Sequence, residues 1–392
     1  MAADEKIDSL ASRRFLFVTG KGGVGKTTVC AALALALARA GKRVLIALGG
    51  PHERLSAILG TALVGHDIQP LAERIWATRI APELAVQEYG LMIIKVRAVA
   101  RAVFESSHTR AFFRAVPGLY DWAVLGKAWY HSTELDGRGR PRFDVVVFDA
   151  PSTGHGLGML RIPKLIGEIA APGVLRRDAD RAWQTFRDPA ASGVVVVSLA
   201  EDMPATETIE LVRALRGELG LPVLRLVVNA VLPPIFDQHE RAALLGDGAL
   251  LQPLPAAGEG SAGGRALRAA ARRAAREKLQ QLNVERLERE IGLPGARLPF
   301  VLGGAGSPEA ARLLSESRGA KKNEPPRRQG RQDRIRFCFF LGVLGALAVH
   351  LLAWVAGEAR AMRLPTQPRF ALRRSRTTLR SPWGKAPATR SC

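Results

Sequence analysis

Gly20, Gly25, Lys26 and Thr27 stand at the G-x-x-x-x-G-K-T spacing within the run Gly20-Lys21-Gly22-Gly23-Val24-Gly25-Lys26-Thr27-Thr28. Residues of these types at this spacing do phosphate chemistry. Glycines leave the backbone bare, so its N–H groups can curl around phosphate oxygens, while the ammonium and hydroxyl that follow serve the terminal phosphates and Mg²⁺. The predicted nucleotide-binding set is Gly20, Lys21, Gly22, Gly23, Val24, Gly25, Lys26, Thr27 and Thr28. A carboxylate suited to the same metal ion ends the β-branched run Phe143-Asp144-Val145-Val146-Val147-Phe148-Asp149. Thr27 and Asp149 are therefore the predicted Mg²⁺ residues, and Lys26 the predicted catalytic cation for the β- and γ-phosphates.

These groups need a scaffold that delivers them to one edge. The apolar residues 15–18 read as a buried strand feeding the glycine loop, and the Ala- and Leu-rich residues 29–40 as the helix after it. The N-terminus of that helix adds free N–H groups and a dipole that favour an anion. Gly41 ends it. Further strand-like runs at 43–48, 143–149, 193–198, 224–229 and 299–302 alternate with helical stretches. That alternation predicts an α/β fold with a doubly wound, mostly parallel sheet wrapped by helices on both faces. Residues 81–134 break the pattern. They lack strand runs and carry Leu91, Met92, Ile93, Ile94, Phe104, Phe112, Phe113, Tyr120, Trp122 and Trp129 at helical spacing. They read either as a helical cap with its own small core or as a groove for an apolar helix.

Lys21 adds a second cation where the phosphates already have Lys26. This form, together with Asp149-Ala150-Pro151-Ser152-Thr153-Gly154-His155, resembles the ArsA/Get-type family of deviant Walker A P-loop ATPases of the SIMIBI type. The resemblance covers residues 13–315. It implies ATP and Mg²⁺ as cofactors and a homodimer in which Lys21 reaches the partner's nucleotide as a catalytic charge. It also implies a γ-phosphate-sensing switch of Asp149, Pro151, Thr153, Gly154 and His155. Asn229 takes the place of an adenine contact, although an Asn at a strand end also forms turns. One position departs from the family: Gly50, in Gly49-Gly50-Pro51-His52-Glu53, stands where the family carries a switch aspartate that activates water. Glu53 either supplies a replacement carboxylate or begins the following helix. The implied function is a nucleotide-switched dimeric ATPase that couples ATP binding and hydrolysis to targeting or transport of a protein client. The alternative is a hydrolysis-weak, nucleotide-dependent binding protein tethered at a membrane.

The three cysteines, Cys30, Cys338 and Cys392, have no metal-ligand spacing, which offers nothing for a zinc or a soft metalloid. Cysteine scarcity and the lack of an N-terminal signal fit a cytoplasmic ATPase domain. The predicted organisation is a disordered N-terminus (1–12), the ATPase domain (13–317), a basic linker (318–336), a candidate transmembrane helix (337–356) and a basic disordered tail (357–392). Residues 337–356 hold no Lys, Arg, Asp or Glu and are long enough to cross a bilayer core; the competing reading is a peripheral hairpin helix. From residue 320 onward, 16 Lys/Arg face 3 Asp/Glu, so most of the chain's net charge of +21 belongs to this end. Such a segment suits anionic lipid headgroups. It lacks the interleaved aromatics of a nucleic-acid binder. The basic residues of 264–290 read as the solvated face of a helix.

Overall fold

A computed structural model describes residues 9–50, 52–93, 118–151, 153–246 and 262–316. The chain divides into a unit of residues 1–325 and a second of residues 326–392; the second lies outside the described residues, as does the candidate membrane segment 337–356. Among the described residues no helix is long and apolar enough to cross a membrane.

The elements run β1 (Phe15–Thr19), α1 (Lys26–Arg39), β2 (Val44–Leu48), α2 (Leu55–Leu59), β3 (Gln69–Ala72), β4 (Ile75–Arg79), α3 (Pro82–Ile93) and α4 (Leu119–Thr133). Then follow β5 (Val145–Asp149), α5 (Thr153–Ile169), α6 (Val174–Arg187), β6 (Ser192–Leu199), α7 (Asp202–Arg213), β7 (Val223–Val231), α8 (Gln238–Leu245), α9 (Ala262–Ile291), β8 (Gly295–Pro299) and α10 (Pro308–Glu316). Eight strands form one sheet in the order β3-β4-β2-β5-β1-β6-β7-β8. Every neighbouring pair is parallel except the β3–β4 hairpin. The doubly wound, mostly parallel sheet expected from the sequence is therefore present.

Burial explains why the central strands are unbroken apolar runs. All five residues of β1, β2 and β5 are buried, because helices cover both faces and neither side of the strand meets water. Alternation then sorts the side chains. Phe15, Phe17, Phe148 and Ala150 enter one core layer, and Leu16, Val18 and Val147 enter the other with Leu37 of α1.

One expectation needs correction. The last strand is Gly295–Pro299 rather than 299–302: Phe300 is 46% and Leu302 is 85% exposed. The N–H of Phe300 still donates to the carbonyl of Val231 at 2.8 Å, but the chain then turns, with the N–H of Gly304 donating to the carbonyl of Val301 at 3.2 Å; at the other end the N–H of Gly295 donates to Glu288 Oε1 at 3.0 Å and anchors the strand start. Trp122, Leu125 and Ala128 of α4 join the same layer as Phe15 and Phe148, because the apolar stripe of α4 faces the sheet. Residues 94–117 lie outside the described residues.

The basic helix behaves as expected of a solvated face. In α9, Ala271, Ala274, Val284, Leu287 and Ile291 are buried, while Arg272, Arg276 and Lys278 are exposed. The spacing of three and four residues is what makes one helical stripe apolar.

Candidate functional site

The loop after β1 emerges between β5 and β6. From β1 the chain passes to β2 on one side, and from β5 it crosses to β6 on the other. In an open parallel sheet, this reversal leaves a crevice at the carboxyl ends of the strands where ligands bind.

Two glycines are required by contact as well as by backbone. Gly20 has φ 154° and a Cβ there would stand 2.2 Å from the carbonyl oxygen of Val197. Gly25 has φ 89° and its Cβ would stand 2.3 Å from Asn229 Nδ2. α1 starts at Lys26, directly after this left-handed residue.

The loop holds its cation ready. Lys26 Nζ donates to the carbonyls of Gly20 (3.1 Å) and Lys21 (3.0 Å). Burial lowers its pKa, and the charge of Asp149 works the other way. Thr27 Oγ1 donates to Asp149 Oδ2 at 2.6 Å, and Asp149 is only 8% exposed. Burial pushes the Asp149 carboxyl up, against the Thr27 hydrogen bond and the Lys26 charge. Cys30, one turn further along α1, is fully buried beside them, its thiol also pushed up by burial and by Asp149. Hydroxyl and carboxylate oxygens that already meet form a hard-donor set that fits Mg²⁺.

Asn229, near the end of β7 and followed there by Ala230 and Val231, is buried and donates its amide to the carbonyl of Val24 at 2.9 Å. It braces the phosphate loop from behind. Lys21 Nζ forms an ion pair with Glu207 on α7, each side chain about one-third exposed. The sequence contained no local signal for that partner, because Glu207 is 186 residues away along the chain. Glu53 accepts from the backbone N–H of Ser56 (2.8 Å) and from its hydroxyl (2.5 Å), so both carboxylate oxygens are engaged at the start of α2.

The switch is only partly described. Pro151 follows Ala150, whose N–H donates to the carbonyl of Val18 at 3.1 Å. Pro51 and Ser152 lie outside the described residues. Thr153, Gly154 and His155 form the first turn of α5; their side chains are likewise outside. Gly49 packs closely, its Cβ position being 2.5 Å from Phe148 Cζ, whereas a Cβ on Gly50 would meet nothing within 4 Å.

Residues 13–172 match the family model described as anion-transporting ATPase. The chain is similar to the ATPase BagA of Mycobacterium tuberculosis, 29% identical over 245 residues that cover 59% of this chain and 69% of that protein. An arsenical pump-driving ATPase of Escherichia coli is 26% identical over 248 residues, covering 58% of this chain and 41% of its own length. ATPase GET3 of Kluyveromyces lactis is 24% identical over 265 residues, covering 59% and 75% respectively.

Proposed function

We propose that this chain, which is similar to ArsA/Get-type P-loop ATPases over its first half, is an ATP-binding, nucleotide-switched dimeric ATPase that couples nucleotide state to targeting or transport of a client. The observation that carries the reading is the junction of Lys26, Thr27 and Asp149 beneath a glycine loop, with Thr27 Oγ1 and Asp149 Oδ2 2.6 Å apart.

The roles follow from the contacts. Lys26 exchanges its two backbone carbonyls for phosphate oxygens. The loop N–H groups and the N-terminus of α1 hold the remaining charge. Thr27 and Asp149 hold Mg²⁺, which when bound neutralises the phosphate charge. Asn229 keeps the loop in shape through Val24 and lies near the strand end beside which an adenine would sit. Lys21 is the intersubunit charge, and its contact with Glu207 in the single chain must open before it can reach a partner's nucleotide. The names of the relatives support transport or targeting as the coupled process.

A second reading, a weakly hydrolysing binding protein, is favoured by Gly50 and by the engagement of Glu53 with Ser56. Both readings share the nucleotide-dependent association, which sedimentation velocity of the full chain tests directly. A slowly hydrolysed ATP analogue with Mg²⁺ should shift monomer to dimer where MgADP does not, and Lys21→Ala should remove the shift. Glu207→Gln should tighten the dimer by about two- to fivefold, as expected for release of a part-exposed ion pair worth ~0.5–1 kcal/mol. An association equilibrium indifferent to nucleotide would sink the switch. Unchanged dimer affinity in Glu207→Gln would remove the cis pair from the account.

A further inference from the structure

Thr19 closes β1 on the face shared by Phe15 and Phe17, where alternation places apolar side chains in the core with Phe148 and Ala150. It is 0% exposed, and among the described residues its hydroxyl oxygen has no hydrogen-bond partner. A buried hydroxyl left unpaired is costly, and valine would fill the same space without that cost. The hydroxyl is therefore unexplained by packing.

What lies against it is the root of the switch. Gly156, at the end of the first turn of α5, is buried. A Cβ placed on it would stand 3.2 Å from Thr19 Oγ1 and 3.1 Å from the carbonyl oxygen of Pro151. The unpaired hydroxyl and that carbonyl thus border the same small space, left open by a glycine. Thr19 immediately precedes Gly20 of the phosphate loop, and Pro151 lies two residues after Asp149. The joint connects the two strands that carry the phosphate-binding and metal-binding residues, which pair directly at Val18 and Asp149.

We propose that Thr19 is a positioning residue that couples the phosphate loop to the segment after Asp149, its hydroxyl donating to the Pro151 carbonyl when triphosphate is bound. The proposal rests on the nucleotide-switch reading above. Movement of the Pro151 segment toward β1 would complete the bond, and Gly156 leaves room for it. In the present arrangement the hydroxyl is unpaired, so the bond rewards one position of the switch over the other, which is the differential contact that a two-state element needs.

The test is hydrogen exchange across residues 150–165 of the full chain with MgADP or with a slowly hydrolysed ATP analogue and Mg²⁺, alongside calorimetric nucleotide affinity. In the wild type, triphosphate should slow exchange in this segment by about fivefold relative to diphosphate. Thr19→Ser, which keeps the hydroxyl, should retain the difference. Thr19→Val should lose it, while binding nucleotide within about twofold of the wild-type affinity and melting no lower than wild type without nucleotide. A Thr19→Val protein that keeps the difference overturns the proposal. So does equal loss in the serine and valine variants, which would mean packing, or a wild type whose segment is the same in both nucleotides. A wild type that binds no nucleotide at all would instead remove the functional reading on which the proposal rests.

Discussion

Replacing Gly50 with aspartate is expected to raise ATP turnover by about 10²-fold, the lower end of what a positioned acid–base group contributes. The argument is steric as well as chemical. Gly50 follows β2, which runs beside β5 with Leu48 opposite Asp149, so a carboxylate at residue 50 emerges next to the strand end that carries Asp149. Its neighbour Gly49 cannot be changed, because a Cβ there would press on Phe148. Gly50 has open space at its Cβ position and is not among the residues of positive φ. A side chain therefore enters without backbone strain. Phosphate release by Gly50→Asp, compared with Gly50→Asn and Gly50→Ala, separates activation of water from mere filling of space. An aspartate variant that turns over no faster than the asparagine one would remove Gly50 from the account of hydrolysis.

Lys26→Ala is expected to reduce turnover by about 10²–10³-fold, as for loss of one preorganised charge at a developing anion, and to weaken MgATP binding with it. The resting ammonium is half-buried and, among the described residues, bonded to the neutral carbonyls of Gly20 and Lys21. Its charge is answered chiefly by Asp149, which Mg²⁺ would occupy. A phosphate oxygen is a stronger acceptor for an ammonium than a neutral carbonyl, so the lysine would contribute more to the bound state than to the free one. Melting with and without MgATP gives an independent check. At a hundred times the dissociation constant the wild type should gain about 2.7 kcal/mol of stability, and the variant at the same concentration should gain little. Affinity that survives the substitution would place the phosphates elsewhere.

The phosphate loop, its flanking strand and helix, and the strand ending at Asp149 were legible in the sequence because each is a contiguous run with its own signature. The β3–β4 hairpin was not: its strands read QPLA and IWATR, too short and mixed to stand out from a loop. The final strand was misplaced because the apolar residues after Pro299 look more like a strand than Gly295–Pro299 does. Pairing with β7 and the Glu288 contact outweigh that local preference. The role of Glu53 was open between catalysis and a helix start. Its two bonds to Ser56 put it at the helix start in this arrangement.

Taken alone, the sequence determined that this protein has a phosphate-binding loop and an alternating α/β scaffold, since nine consecutive residues carry the first and the periodicity of burial carries the second. The tertiary structure decided which side chains work together. Thr27 meets Asp149 across 122 residues, Lys21 meets Glu207 across 186, and Asn229 meets Val24 across 205. The two motifs already name Thr27 and Asp149 as partners at one metal ion, whereas the other two pairs have no local signature. Each depends on strand order, because placing β1 between β5 and β6 with β7 beyond brings the carboxyl ends of four separate strands to one edge.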